Sequence, residues 1–462
     1  MKFLDNWLKD RSRKPLVIRG ARQVGKSTLV QLFAKEYGKD LLNVNLERYP
    51  ELSGIFDTKD PDQIIQQIEF LPGMKHVNQN TLLFLDEIQA VPDAIPALRY
   101  FYEDKPKLPV LSAGSLLEFV LSDHSFSMPV GRIQYLHMGP MTFSEFLNGI
   151  GEEKLSSFIL NYEPGRPIGE VAHKRLLSLL RSYYYVGGMP EAVSVFADTQ
   201  SYKQVSTVHN SIIETYLEDF PKYTGSRNLN RMRKVFYFIA KNVGKKIKYS
   251  NISPEDQSAT LKKDIDLLAM ARVIGKVTHS NCSGLPLHAD TDEKVYKPLF
   301  LDVGLMNAIC GLDWRAVSQM DDAKLINEGA IAEQFVGQHL QNLFSDTPNR
   351  ELTYWLRQGR SSNAELDFVV QTGGHMVPIE VKAGATGTLK SLHQFMGSKD
   401  VPLAVRFDAS MPSLTRIDTK INTGKTPRQV QYTLVSLPLY LIERLETIAA
   451  YYCKNPTQAH ES

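Results

Sequence analysis

The run Gly20-Ala21-Arg22-Gln23-Val24-Gly25-Lys26-Ser27 constrains this chain more than any other stretch. A short apolar segment, Leu16-Val17-Ile18, precedes it, and Thr28-Leu29-Val30-Gln31-Leu32-Phe33 opens a helical pattern after it. Strand, glycine-bounded loop and helix in that order turn successive backbone N–H groups inward at a helix N-terminus, where the peptide dipoles favour an anion. Gly20 and Gly25 let the backbone crowd a phosphate chain, Lys26 reaches the β- and γ-phosphates, and Ser27 offers a hydroxyl to Mg²⁺. The spacing predicts a nucleoside triphosphate site for ATP with Mg²⁺, formed by the eight loop residues and Thr28.

Hydrolysis needs a second element. Thr81-Leu82-Leu83-Phe84-Leu85-Asp86-Glu87 is an apolar run ending in two carboxylates, as a buried parallel strand opening on the phosphate site would be. Asp86 is expected to hold Mg²⁺ and Glu87 to polarise the attacking water. A third strand, Leu108 to Ser115, ends in polar residues. Ser115 is the first choice for a γ-phosphate sensor and Ser112 the second, the alternative being a helix cap. Arg132, in Val130-Gly131-Arg132, reads either as an arginine finger for its own or a neighbour's γ-phosphate or as a plain surface arginine.

On GARQVGKS, LLFLDE and LSAGS, residues 1–150 resemble the AAA+ branch of P-loop ATPases. The stretch Met138-Gly139-Pro140-Met141-Thr142-Phe143-Ser144-Glu145-Phe146 resembles a segment in a family of prokaryotic ATPases whose C-terminal half is a domain of unknown function. Tyr185-Val186-Gly187-Gly188-Met189-Pro190-Glu191 and Phe300-Leu301-Asp302-Val303-Gly304-Leu305 fit the same family. The resemblance implies an architecture rather than a biological role.

A chain of 462 residues is too long for one core. Its three cysteines, Cys282, Cys310 and Cys453, have no metal spacing, so a reducing cytoplasm is expected. Acid early in the N-terminus argues against a signal peptide, and no apolar window approaches a membrane span, so no membrane partner is expected. The net charge of +2 decides nothing globally, but its distribution does. Between Arg227 and Lys276 stand twelve cations against four acids. Leu229, Met232, Val235, Phe236 and Ile239 recur at helical spacing there, and a second amphipathic helix covers Ala259 to Ala271. Val273 to Val277 and Val295 to Phe300 are expected to pair as strands. This outlines a winged helix-turn-helix, with Lys245, Lys246, Lys248, Lys262 and Lys263 contacting the backbone of a nucleic acid, DNA ahead of RNA. The bland reading is a protein-docking unit with a solvated basic face.

The C-terminal part carries a helix bearing Glu333. Strands follow at Leu352 to Leu356, Glu365 to Val370 and His375 to Lys382, the last after a Thr372-Gly373-Gly374 turn. Acid, turn and acid-x-Lys in that order resemble the PD-(D/E)XK nuclease superfamily. By that resemblance Asp367 and Glu380 would ligate a second Mg²⁺, Lys382 would orient the attacking water, Glu333 would complete the acidic set and Gln394 would contact the same site.

The expected fold is therefore α/β: an AAA+-like P-loop NTPase parallel sheet (1–150), a helical lid or connector (151–225), a winged helix-turn-helix (226–322) and a PD-(D/E)XK nuclease-like α/β domain (323–462). The favoured function is ATP hydrolysis coupled to a nucleic-acid-binding, nuclease-like C-terminal half, with homo-oligomerisation left open by Arg132. The alternatives are a nucleotide-dependent protein-interaction switch and a Mg²⁺-dependent endonuclease gated by ATP.

Overall fold

The computed structural model describes residues 1–115, 117, 131–224, 229–319, 328–345, 351–357, 364–382, 389–399, 401–422 and 427–455. Val130 and Arg227 lie outside the described residues. The chain divides into two compact units, Met1–Gly139 with Met270–Arg272, and Pro140–Ala269 with Val273–Ser462.

The first unit holds a five-stranded sheet in the order β2-β3-β4-β1-β5. Its strands are β1 (Leu16–Arg19), β2 (Asp40–Asn45), β3 (Thr81–Asp86), β4 (Val110–Ala113) and β5 (Gln134–His137). Every pairing is parallel, so all five C-terminal ends share one edge. Both faces are covered, which is why the strands read as continuous apolar runs. Leu16, Ile18, Leu82 and Phe84 enter one core with Val30 and Phe33, while Val17, Leu83 and Leu85 enter the other. That division is the two-residue period of a strand. The helix after the loop, α1, spans Lys26–Glu36, and α2 spans Ala94–Asp104.

The second unit begins at Pro140, ahead of the boundary expected at 150. Helix α3 (Phe143–Gly149) packs there because the Phe143 N–H donates to His339 Nε2 at 2.8 Å and the Ser144 hydroxyl donates to Glu443 at 2.6 Å. Tyr183, Tyr184 and Tyr185 on α4 (Glu170–Val186) are buried packing residues, with Tyr183 edge-on to Phe143 and Phe335. The two marker segments meet in space. Asp302, fully buried, accepts the Gly188 N–H at 2.6 Å and the Leu305 N–H at 3.0 Å. Gly187 ends α4 at φ 74°, where a Cβ would sit 2.1 Å from the Asp302 carboxylate, so only glycine fits.

Helices α5 (Leu229–Lys241), α6 (Tyr249–Ile252) and α7 (Ser258–Met270) precede β6 (Ile274–Ser280) and β7 (Thr291–Phe300). The two strands pair antiparallel as expected. They do not close a separate unit at 322, because β6 also pairs in parallel with β8 (Leu352–Arg357). Together with β9 (Ala364–Thr372), β10 (His375–Val381), β11 (Leu403–Asp408), β12 (Ser413–Asn422) and β13 (Pro427–Pro438) they form one eight-stranded sheet, ordered β12-β13-β11-β10-β9-β8-β6-β7. Gly373 and Gly374, both at positive φ, make the two-residue turn joining β9 to β10. Helix α8 (Val303–Ile309) follows β7, α9 (Gly329–Leu343) precedes β8, and α10 (Lys390–Ser398) joins β10 to β11, which runs parallel to β10.

Candidate functional site: a phosphate loop and an acidic cluster

The loop from Gly20 to Ser27 leaves the C-terminal end of β1 and enters α1. Gly20 (φ 154°), Gln23 (φ 62°) and Gly25 (φ 90°) all take positive φ, while Ala21 and Val24 are buried and pin the loop to the core. A Cβ at Gly20 would lie 2.1 Å from the Met138 carbonyl oxygen. Lys26 is buried and donates to the carbonyls of Gly20 at 3.1 Å and Ala21 at 2.7 Å. Burial pushes its ammonium down to about 8 against the opposing pull of Glu87 and Asp86. Thr28 is exposed on the first turn of α1.

Asp86 ends β3, two strands from β1. The register aligns Ile18 with Ala113 and Leu85 with Ser112, which brings Asp86 level with the start of the loop. The Ser27 hydroxyl donates to Asp86 Oδ2 at 2.9 Å. Burial raises the Asp86 carboxyl, and the Ser27 bond partly offsets that rise. A hydroxyl and a carboxylate in contact beside a glycine loop suit a hard divalent cation carried by a triphosphate, so the residues present fit Mg²⁺. Glu87 sits in the left-handed region at φ 50°, a strained backbone for a residue with a Cβ. Its Oε2 accepts from Gln89 Nε2 at 2.5 Å and from the Ser115 hydroxyl at 3.4 Å. Gln89 was missed in the sequence, where an amide two residues beyond an acid pair carries no distinguishing signal.

The register also places Ser112 and Arg132. Ser112 is fully buried, one residue before the C-terminal end of β4 and level with Leu85 of β3. Arg132 binds Glu103 on α2 at 2.9 Å and covers the Tyr102 ring at 5.7 Å. Because Gln134 pairs with Leu16, Arg132 lies at the N-terminal edge of the sheet, roughly 20 Å of strand rise from the loop. It is not a finger for its own γ-phosphate.

In the second unit, Glu333 on α9 and Glu365 and Asp367 on β9 converge, but on an ammonium. Lys297 Nζ on β7 lies 2.7 Å from Glu333, 3.2 Å from Glu365 and 4.0 Å from Asp367. Asp367 Oδ2 accepts the Val381 N–H at 2.7 Å, Lys382 is ion-paired with Glu380, and Gln394 accepts from Arg357 at 2.9 Å. The carboxyls of Glu333 and Glu380 are raised, mainly by burial. Of the expected Mg²⁺ pair, Asp367 thus lies 4.0 Å from the Lys297 ammonium and Glu380 is ion-paired with Lys382 through one oxygen, and no group of three or more His, Cys, Asp or Glu among the described residues is disposed to hold a metal. Lys245, Lys246, Lys248, Lys262 and Lys263 are all exposed on or between α5 and α7. Arg231 and Lys276 are paired instead, with Asp264 and Asp266.

Residues 12–147 match the family model described as an AAA domain. This part of the chain is an AAA+ ATPase-like domain. Beyond it, residues 177–316 match the domain of unknown function DUF8612, and residues 328–438 the domain of unknown function DUF4143. An uncharacterized protein of Haemophilus influenzae is 27% identical over 288 residues, a match spanning 58% of this chain and 63% of that protein's length. Among solved structures, the Aeropyrum pernix ORC2 protein is similar at TM-score 0.34 and 13% identity, over 69% of this chain and 92% of that one. The Thermotoga maritima RuvB Holliday junction branch migration motor is similar at TM-score 0.28 and 16% identity, over 60% and 88%. No helix among the described residues is long and apolar enough to cross a membrane.

Proposed function

We propose that the AAA+ ATPase-like domain binds ATP with Mg²⁺ and hydrolyses it, and that the C-terminal half engages DNA without cutting it. The observation carrying the first part is the Ser27–Asp86 contact at 2.9 Å between the glycine loop and the neighbouring acid strand. Backbone N–H groups of the loop bind the phosphate chain, and Lys26 exchanges its two carbonyl acceptors for phosphate oxygens. Bound Mg²⁺, held by Ser27 and Asp86, supplies neutralising charge on the phosphoryl oxygens. Glu87, fixed through Oε2 by Gln89 and Ser115, keeps Oε1 to accept a proton from the attacking water.

Phosphate release from ATP tests this. Lys26→Ala should abolish both binding and turnover. Glu87→Gln should keep nucleotide binding within a few-fold while turnover falls at least about 100-fold. Wild-type turnover in Glu87→Gln overturns the assignment.

Support for DNA engagement is the group of five exposed lysines on or between α5 and α7, none in an ion pair among the described residues. The order α5, α6, α7, β6, β7 is that of a winged helix-turn-helix, with α7 as the helix available to a groove. The order α9, β8, β9, β10, α10, β11 resembles the PD-(D/E)XK fold, but the lysine-filled acidic cluster supports no metal-dependent cleavage. Duplex DNA should bind in a mobility-shift assay. Five phosphate contacts predict an affinity loss of several hundred-fold between about 50 and 200 mM salt. Affinity unchanged by salt, or unchanged in Lys262→Ala/Lys263→Ala, sinks this part.

A further inference from the structure

We infer that the Lys297 ammonium is the resident cation of the cluster formed by Glu333, Glu365 and Asp367, standing where a divalent metal would stand and leaving the cluster unable to bind one. Three features carry this. Lys297 is 1% exposed, yet its Nζ reaches carboxylates from α9 and from two positions of β9. An ammonium so far from water persists only with such partners, and its pKa is held above the ordinary lysine value by the three acids despite its burial.

The ammonium itself is shut off from water, while the cluster opens outward on its acid side, where Glu365 is 41% and Asp367 21% exposed. The rings of Tyr354 and Phe368 lie 5.0 and 5.9 Å from Nζ and present their faces to the cation. Gly244, at φ 72°, brings backbone so close to Glu333 that a Cβ there would lie 2.4 Å from Oε2. Its N–H donates to the Pro298 carbonyl at 3.1 Å, fastening that backbone to β7 next to Lys297.

The remaining acid is engaged through one oxygen only. Glu380 pairs with Lys382 through Oε1, and its buried Oε2 has no hydrogen-bond partner among the described residues. A divalent ion entering here would bring two charges beside a buried ammonium. It would also need an oxygen shell of six or more, toward which this cluster offers only the three carboxylates already facing Lys297. Lys297 is thus a built-in replacement for the metal and holds β7 and β9 to α9.

The test is a titration of the nucleotide-free full chain with Mn²⁺, followed by electron paramagnetic resonance. Without nucleotide the loop site lacks its triphosphate, so failure of the ATP reading leaves this result unaffected. Wild type should show no Asp367-dependent Mn²⁺ site below about 1 mM. Lys297→Met, which keeps the length and removes the charge, should gain one equivalent, bound at least about tenfold tighter than by wild type. That gain should vanish in Lys297→Met/Asp367→Asn. A wild-type site filled by micromolar Mn²⁺ and lost in Asp367→Asn overturns the inference, as does a folded Lys297→Met with no gain. Should Lys297→Met not fold, the wild-type and Asp367→Asn titrations decide by themselves.

Discussion

Lys26 is turned onto the carbonyls of its own loop, and burial brings its ammonium down to about 8. A triphosphate beside it favours the charged form, so binding raises that pKa and is coupled to proton uptake once the pH exceeds 8. Calorimetry of ATP binding at about pH 9, in buffers of differing ionisation enthalpy, should show uptake of up to about one proton, absent in Lys26→Ala. Loop residues of this kind were legible in the sequence, because each position has a local requirement. Gly25 must take a positive φ of 90° at the N-cap of α1, and Ser27 must follow Lys26 into the first helical turn. The support of Glu87 was not legible. Gln89 and Ser115 reach it only because a strained left-handed residue turns the chain after β3 and because β4 ends beside β3.

At the scale of elements, strand and helix assignments followed from period and turn chemistry. The Gly373-Gly374 turn and the alternation around it are local properties, and β9 and β10 form where expected. Partner choice is different. The strand pair β6–β7 forms as read, but its second neighbour, β8, lies more than fifty residues further along the chain, and no local pattern announces that pairing. The marker segments around Gly187 and Asp302 turn out to be two halves of one junction. Replacing Asp302 with Ala leaves the Gly188 and Leu305 N–H groups buried without their acceptor. The second unit should lose about 3 kcal/mol, read from denaturant unfolding. Gly187→Ala should destabilise the same junction, through both its positive φ and the clash with Asp302. Stability unchanged in both variants would remove the junction's structural role.

Across the whole molecule, the second unit is stapled by neutral buried histidines. His339 accepts the Phe143 N–H at Nε2 and donates from Nδ1 to the Phe335 carbonyl at 2.8 Å. His209 Nε2 donates to the Val186 carbonyl at 2.9 Å. Burial lowers both to about 4, below the unfolded value of 6.5. The unfolded chain therefore binds more protons between those values. Stability is complete above pH 6.5 and falls as the pH drops toward 4, by on the order of 3 kcal/mol per histidine. Unfolding of the second unit followed by circular dichroism from pH 7 to pH 4 checks this. His339→Gln should flatten the profile, whereas an unchanged slope would exclude His339 as its source.

By itself the sequence determined the phosphate loop, the acid strand and the identity of most strands and helices, since φ preferences, hydrophobic period and turn chemistry act over a few neighbouring residues. The tertiary structure alone decided which charges meet. It carried Arg132 to Glu103 at the far edge of the first sheet, and it set Lys297 among Glu333, Glu365 and Asp367. Coulomb energy depends on distance through space and on desolvation, and both are fixed by strand order and register rather than by spacing along the chain.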